Sequence, residues 1–129
     1  MVASSLDYQH RQGVISVVPE TEEIVAVCLE GEFDMANAPT VGEEIDRTLE
    51  DGKHLIVDLS EATFIDSNLI AVLMRAAKAT RGTEQAIVLQ HRTAAIVERV
   101  IEITGIEQVL PRAHDRREAV NLIQQAATV

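Results

Sequence analysis

The stretch of residues 54–77 reads HLIVDLSEATFIDSNLIAVLMRAA, and the rest of the chain is arranged around it. It opens with an apolar run, residues 55–59, which is interrupted only by Asp58 and is typical of a strand buried on both faces. A polar interval, residues 60–63, follows. From Leu69 onward the apolar residues recur every three or four positions, which predicts an amphipathic helix. The stretch therefore predicts a buried strand, an exposed turn and a helix that packs on a sheet.

Three polar residues, Asp66, Ser67 and Asn68, stand at the start of this predicted helix. Asp, Ser and Asn are preferred at helix N-caps, so capping alone would explain them. A helix N-terminus also carries unpaired backbone N–H groups and the positive end of the helix dipole, which suit a phosphate. Ser67 is therefore the candidate site of a modification, with helix capping as the alternative.

The composition limits the possible partners. The net charge of −10 argues against binding to nucleic acid or to anionic membranes, because both need clustered Lys and Arg. No apolar window is long enough to span a bilayer and no signal peptide leads the chain, so we expect a cytoplasmic protein. Cys28 is the only cysteine and lies in an apolar run, which predicts a buried, unreactive thiol, with a redox role as the alternative.

Outside the central stretch, the patterns predict alternating strands and helices. β-Branched runs at residues 14–18 and 24–29 predict a hairpin, with its first strand at a sheet edge because Pro19 follows it. Asn37 or Thr40 could cap the next helix, and Thr40 with Glu43 has the spacing of a capping box.

The second half of the chain continues this alternation. Residues 86–89 predict another strand, and residues 92–103 predict a helix with Ile96, Val100 and Ile103 on one face. Asp115 is expected to cap a last helix. The whole predicts an α/β fold, with a mixed, mostly parallel sheet of four to five strands and about four α-helices. We expect one domain over residues 1–129, of which 1–11 form a loose lead-in.

An enzyme is not predicted. The four histidines, His10, His54, His91 and His114, lack metal-ligand spacing and are expected at the surface. The chain has no glycine-rich phosphate loop, no G-x-S-x-G motif and no candidate base at an informative spacing from Ser67. We therefore predict no catalytic residue, no metal and no cofactor.

The motifs of this chain resemble the signature of the STAS domain, the family of bacterial anti-sigma factor antagonists. That family shows an apolar strand ending in D-L-S, then F-[IM]-D-S-[ST]-G-[LI]-G-[VI]-L, which correspond here to residues 58–60 and 64–73. Its G-E-[LF]-D and A-P elements correspond to residues 31–34 and 38–39, and its T-G-[LI] to residues 104–106. The order and spacing agree across nearly the whole chain.

The resemblance implies the same fold and a regulatory function. It implies that the protein binds a kinase-type anti-sigma factor, a serine kinase with the histidine-kinase-like ATPase fold, and so releases a sigma factor. Phosphorylation of Ser67 would end the binding and a serine phosphatase would restore it. The resemblance further implies a partner-binding surface, which would include Asp34, Asp66, Ser67, Asn68 and Leu69.

Three points leave alternatives open. Asp34 is explained equally well by a turn in which its side chain binds the local backbone. Ser60 and Thr63, in the preceding polar interval, are competing phosphate acceptors. Asn68 and Leu69 stand where the family has Ser or Thr and then Gly, and Leu69 removes backbone freedom beside the serine. These departures favour a second function, a STAS domain that docks or senses a ligand in a larger assembly without being phosphorylated.

Overall fold

The computed structural model describes residues 13–127, so the predicted lead-in over residues 1–11 lies outside the described part of the chain. The helices and strands are, in order, β1 (Val14–Pro19), β2 (Ile24–Phe33), α1 (Ala38–Glu50), β3 (His54–Ile65), α2 (Ser67–Thr80), β4 (Ile87–Gln90), α3 (Ala95–Thr104), a 3-10 helix (Ile106–Gln108), β5 (Arg112–Ala113) and α4 (Arg116–Ala127).

The strands form one sheet in the order β1-β2-β3-β4-β5. β1 pairs with β2 in the antiparallel direction, and every other neighbouring pair is parallel. β3 is therefore the central strand and β1 is an edge strand, as the sequence predicts. The predicted α/β fold class, with a mixed and mostly parallel sheet, is confirmed.

Side-chain alternation along β3 divides the core between the two faces of the sheet. Leu55, Val57 and Leu59 are fully buried on the face that carries α1, α2 and α3. Ile56 points to the opposite face, where it packs in a smaller cluster with residues of α4. Because both faces of β3 are covered, its sequence is a nearly continuous apolar run.

The predicted capping box of Thr40 and Glu43 is wrong, because α1 begins earlier, at Ala38, and both residues lie inside the helix. Pro39 stands in the first turn, where its missing N–H costs nothing. Asn37, the other candidate cap, does occupy the N-cap position, but its Oδ1 accepts a hydrogen bond from the Asp34 N–H (2.9 Å) and does not cap the helix.

The buried face of α3 also differs from the apolar spacing noted in the sequence. Val97 and Ile101 are buried, whereas Ile96 and Ile103 are 52% and 69% exposed. Apolar residues stand on more than one side of this short helix, so their spacing could not identify the side that meets the sheet.

The predicted cap of α4 is confirmed, since Asp115 Oδ1 accepts a hydrogen bond from the Glu118 N–H at 2.8 Å. Among residues 13–127, no helix combines the length and the apolar character that crossing a bilayer requires.

Candidate functional site

Two loops lie side by side where β2 and β3 end. Phe33 pairs with Ile65, so Asp34 and Asp66 leave the sheet from neighbouring positions. β4 pairs only with the first half of β3, and the second half of β3 pairs with β2 alone. The sheet therefore narrows to a two-stranded ribbon that carries both loops beyond its main body.

The N-cap of α2 is Asp66. Its Oδ1 accepts hydrogen bonds from the backbone N–H groups of Asn68 (2.8 Å) and Leu69 (3.4 Å), and its Oδ2 accepts from the Asn68 side-chain amide (3.2 Å). Ser67 is the first residue of the helix and is exposed. Its hydroxyl has no hydrogen-bond partner within residues 13–127. Capping therefore accounts for Asp66 and leaves the Ser67 hydroxyl unused.

Leu69, which the family resemblance placed at the partner-binding surface, has a fully buried side chain in the main core. Its side chain therefore packs inside the domain and is not available to a partner. No non-glycine residue in the described range has a positive φ, so the turn before α2 needs no left-handed conformation at this position. A leucine is accommodated where the family has glycine.

Asp34 holds its own turn together. Its Oδ1 accepts a hydrogen bond from the Ala36 N–H at 2.9 Å, as expected for an Asx turn. Gly31, three residues earlier, has a φ of 95°, a conformation that glycine adopts without strain. The local-turn interpretation therefore explains the Asp34 side chain, which remains half-buried beside the Asp66 loop.

The two competing acceptors differ in accessibility. The Ser60 hydroxyl donates to Asp58 Oδ1 (2.5 Å) and accepts from Gln90 Nε2 (3.1 Å), so it is already engaged in a half-buried network. Thr63 is exposed on the two-stranded ribbon. Accessibility thus leaves Ser67 and Thr63 as the exposed hydroxyls of this region.

A shallow groove of about 270 Å³ runs between α1 and α2 next to Ser67. Its lining residues are Met35, Ala38, Pro39, Ala71, Val72 and Arg75, with Asn68 at the Ser67 end. We call it the α1–α2 groove. Met35 is 73% exposed. The sequence did not single out Met35 or Arg75, although the spacing of Asn68, Ala71 and Arg75 places them along one side of a helix.

A polar network covers the opposite face of the sheet. Cys28, Asp58 and Gln90 are paired side by side across β2, β3 and β4. Arg116, the first residue of α4, donates to Asp58 Oδ2 (2.5 Å), to Gln90 Oε1 (2.8 Å) and to Cys28 Sγ (3.2 Å). It also pairs with Glu20 Oε2 at 2.9 Å. We call these five residues the Arg116 network.

Cys28 is half-buried in this network, not fully buried as predicted. Burial raises the pKa of its thiol, and the charge and hydrogen bond of Arg116 oppose that effect without cancelling it. A raised pKa keeps the thiol protonated near neutral pH, and a thiol reacts far more slowly than a thiolate.

The expectation that His91 lies at the surface is wrong, because its side chain is 1% exposed. Its Nδ1 lies 2.9 Å from Glu98 Oε2 and its Nε2 lies 2.7 Å from Glu107 Oε2. Thr93 donates from its backbone N–H to Glu98 (3.0 Å) and from its hydroxyl to the Ala62 carbonyl (2.8 Å). Polar partners therefore tie the end of β4 to α3, to the 3-10 helix and to the β3 ribbon.

Glu98 makes the stability of this cluster dependent on pH. Burial would raise the pKa of Glu98, but hydrogen bonds from His91 and Thr93 and the charges of His91 and Arg112 hold it below its ordinary value of 4.5. Its stabilising contribution is therefore complete above about pH 4.5 and is lost as the pH falls through the lower folded-state pKa.

We expect Glu98→Gln to flatten the pH dependence of the free energy of unfolding below pH 4.5, by at most about 1.4 kcal/mol per pH unit for one proton. Urea titrations at several pH values measure this slope. Glu102→Gln is the control, because Glu102 is exposed on the same helix and has no ion pair among residues 13–127. Equal slopes in wild type and Glu98→Gln would contradict the expectation.

The described residues contain no group of His, Cys, Asp and Glu arranged to hold a metal ion. The two loops instead form a surface that could bind another protein, with an exposed serine at a helix start, two acidic turns and an apolar groove. The family model described as "Mlab, STAS domain" matches residues 16–111, and the chain belongs to the STAS domain family.

Solved structures with the same fold include several antagonists. An anti-sigma factor antagonist from Mycobacterium paratuberculosis is similar with a TM-score of 0.78 and 23% identity, over 88% of this chain and 95% of that one. An anti-sigma-factor antagonist (STAS) domain protein from Planctomyces limnophilus gives 0.68 and 17%, over 84% and 96%. The phosphorylated form of the Bacillus cell fate determinant SpoIIAA gives 0.61 and 20%, over 85% and 99%. No curated protein matches the chain by sequence.

Proposed function

We propose that this protein is an anti-sigma factor antagonist that a kinase-type anti-sigma factor phosphorylates on Ser67. In the unphosphorylated state it binds that kinase and frees the sigma factor. Phosphate on Ser67 ends the binding, and a serine phosphatase restores it. The protein contributes a binding surface and no catalytic group of its own.

The observation that carries this proposal is the Ser67 hydroxyl. It is exposed, it begins α2, and it has no hydrogen-bond partner within residues 13–127. A kinase could reach it without disturbing the core, because Asp66 supplies the helix cap. The same position carries the phosphoacceptor in the family signature that the sequence resembles.

A phosphate on Ser67 would act mainly through its charge. It would add roughly −1.5 to −2 charges next to Asp66 and Asp34, on a domain whose net charge is already −10. Asp66 already occupies the N–H groups of Asn68 and Leu69, so the phosphate would compete with a carboxylate for them. We infer that it projects towards the partner, where like-charge repulsion and the cost of desolvation oppose docking.

The second candidate function is a STAS domain that docks in a larger assembly without being phosphorylated. It is favoured by Asn68, whose side-chain amide binds Asp66 where the family carries a second hydroxyl. In this case the same surface would bind its partner constitutively.

Incubation with ATP and each anti-sigma kinase of the same genome, followed by mass spectrometry, separates the two functions. We expect one phosphate on wild type and none on Ser67→Ala. Ser67→Ala should bind the kinase as wild type does. Its free energy of unfolding should lie within about 0.5 kcal/mol of the wild-type value, because Asp66 caps the helix. Ser67→Glu should bind more weakly, but less weakly than phosphorylated protein, because it adds only one charge.

Thr63→Ala is the matched control, since it removes the other exposed hydroxyl of this region. It should be phosphorylated as wild type is. Phosphate on Thr63 would move the site and keep the switch. Kinase binding with no phosphate on any residue would establish the constitutive docking domain instead.

A further inference from the structure

Arg75 lies about two helical turns from Ser67 along α2, which is about 12 Å at 1.5 Å per residue. Its side chain is exposed and has no ion pair or hydrogen bond within the described residues. Of the residues that line the α1–α2 groove, Arg75 is the one that carries a charge. The groove therefore has an apolar lining and a single cation at the end away from Ser67.

The Arg75 side chain passes close to Gly42 of α1. It is buried, and a Cβ placed on it would lie 3.4 Å from Nη2 of Arg75 and 3.7 Å from Cγ1 of Val72. These are ordinary van der Waals distances, so an alanine would fit at this position. A longer side chain would compete with the guanidinium for this space.

The charges around the groove are arranged in a definite order. Asp34 directly precedes the groove residue Met35, and Asp66 caps α2 two residues before the groove residue Asn68. Arg75 lines the groove further along α2. On a domain with a net charge of −10, a partner carboxylate is repelled over most of the surface and attracted at this cation. A guanidinium also binds a carboxylate through two parallel hydrogen bonds, which fixes its orientation.

We propose that the α1–α2 groove receives an apolar side chain of the kinase-type partner and that Arg75 pairs with a partner carboxylate beside it. This inference rests on the proposed function. The partner segment carries a basic group facing Asp34 and Asp66, an apolar side chain in the groove, and an acidic group at Arg75. The contact sets the register in which Ser67 meets the kinase, and it involves no residue that accepts the phosphate.

The test measures binding to the anti-sigma kinase identified by the phosphorylation assay. We expect Arg75→Glu to weaken binding by about ten- to a hundredfold and to raise the KM for Ser67 phosphorylation, with kcat little changed. Arg117→Glu is the control, because it makes the same change on an exposed residue of α4, across the sheet, and should bind within twofold of wild type. Reversing the matching acidic residue of the kinase to Lys should restore binding to Arg75→Glu.

The outcomes distinguish this inference from the function on which it rests. If wild type and Arg75→Glu bind the kinase equally, the groove contact is wrong and the antagonist function stands. If no kinase binds wild type, both are wrong. Should Arg75→Glu fail to fold, Arg75→Met replaces it, and we expect a smaller loss of affinity for the kinase. Equal affinities of wild type and Arg75→Met would then overturn the proposal. If wild type sediments as a dimer and Arg75→Glu as a monomer, the groove binds a second copy of this chain. That result would overturn the proposal.

Discussion

Val57→Asp should unfold the domain or bring it close to unfolding. Val57 is fully buried in the central strand, between Val27 of β2 and Leu89 of β4, and its side chain lies in the main core. An aspartate there finds no partner in an aliphatic cluster, and burying an unpaired carboxylate costs several kcal/mol. We expect a loss of about 4 kcal/mol or more, a large part of the stability of a domain of this size.

Val17→Asp is the matched control for this change. Val17 pairs with Val27, which in turn pairs with Val57, so the two variants lie in one row across the sheet. Val17, however, lies on the edge strand and is 46% exposed. The same substitution should therefore cost less than about 1 kcal/mol. Urea denaturation followed by circular dichroism compares the two. A free energy of unfolding of Val57→Asp within about 1 kcal/mol of wild type would contradict the assignment of β3 as the central strand.

Arg116→Met should destabilise the domain by about 2–4 kcal/mol, because it leaves a largely buried carboxylate without its cation. The Asp58 side chain is 11% exposed and would retain only its bonds from Ser60. Gln90 would also lose the donor to its Oε1. Arg117→Met, one residue along, changes an exposed arginine and should stay within about 0.5 kcal/mol of wild type.

A double-mutant cycle with Asp58→Asn isolates the pair from the rest of the Arg116 network. Removing the charge of Asp58 should make Arg116→Met less costly, since no buried carboxylate is then left unpaired. Additive effects of the two substitutions would show that the destabilisation comes from lost packing of the arginine and not from the ion pair.

The fold could be predicted from the sequence because its central strand is covered on both faces. Residues 55–59 are a continuous apolar run for that reason, and the helix after them keeps regular apolar spacing up to its stop near Gly82. The sequence left the start of α1 open between Asn37 and Thr40, because Pro39 and the Asp34 turn, and not a side-chain cap, set it. The buried side of α3 depends on which apolar face meets the sheet, and tertiary packing decides that.

The candidate site divides in the same way. The Asp66-Ser67-Asn68 turn could be found because capping and modification both leave a local sequence pattern. The Arg116 network could not, since Arg116 and Asp58 are 58 residues apart and neither spacing nor composition connects them. The burial of His91 could not be predicted for the same reason. The carboxylates that bind its buried ring come from α3 and the 3-10 helix.

The side chains that would meet a partner are separate from those that hold the domain together. Met35, Asn68 and Arg75 are exposed and belong to neither core cluster, whereas the strands beneath them are packed on both faces. Substitutions at these three positions can therefore change partner choice at little cost in stability. Duplicated copies of such a domain within one cell can diverge there and become insulated from each other's partners while their interiors remain interchangeable.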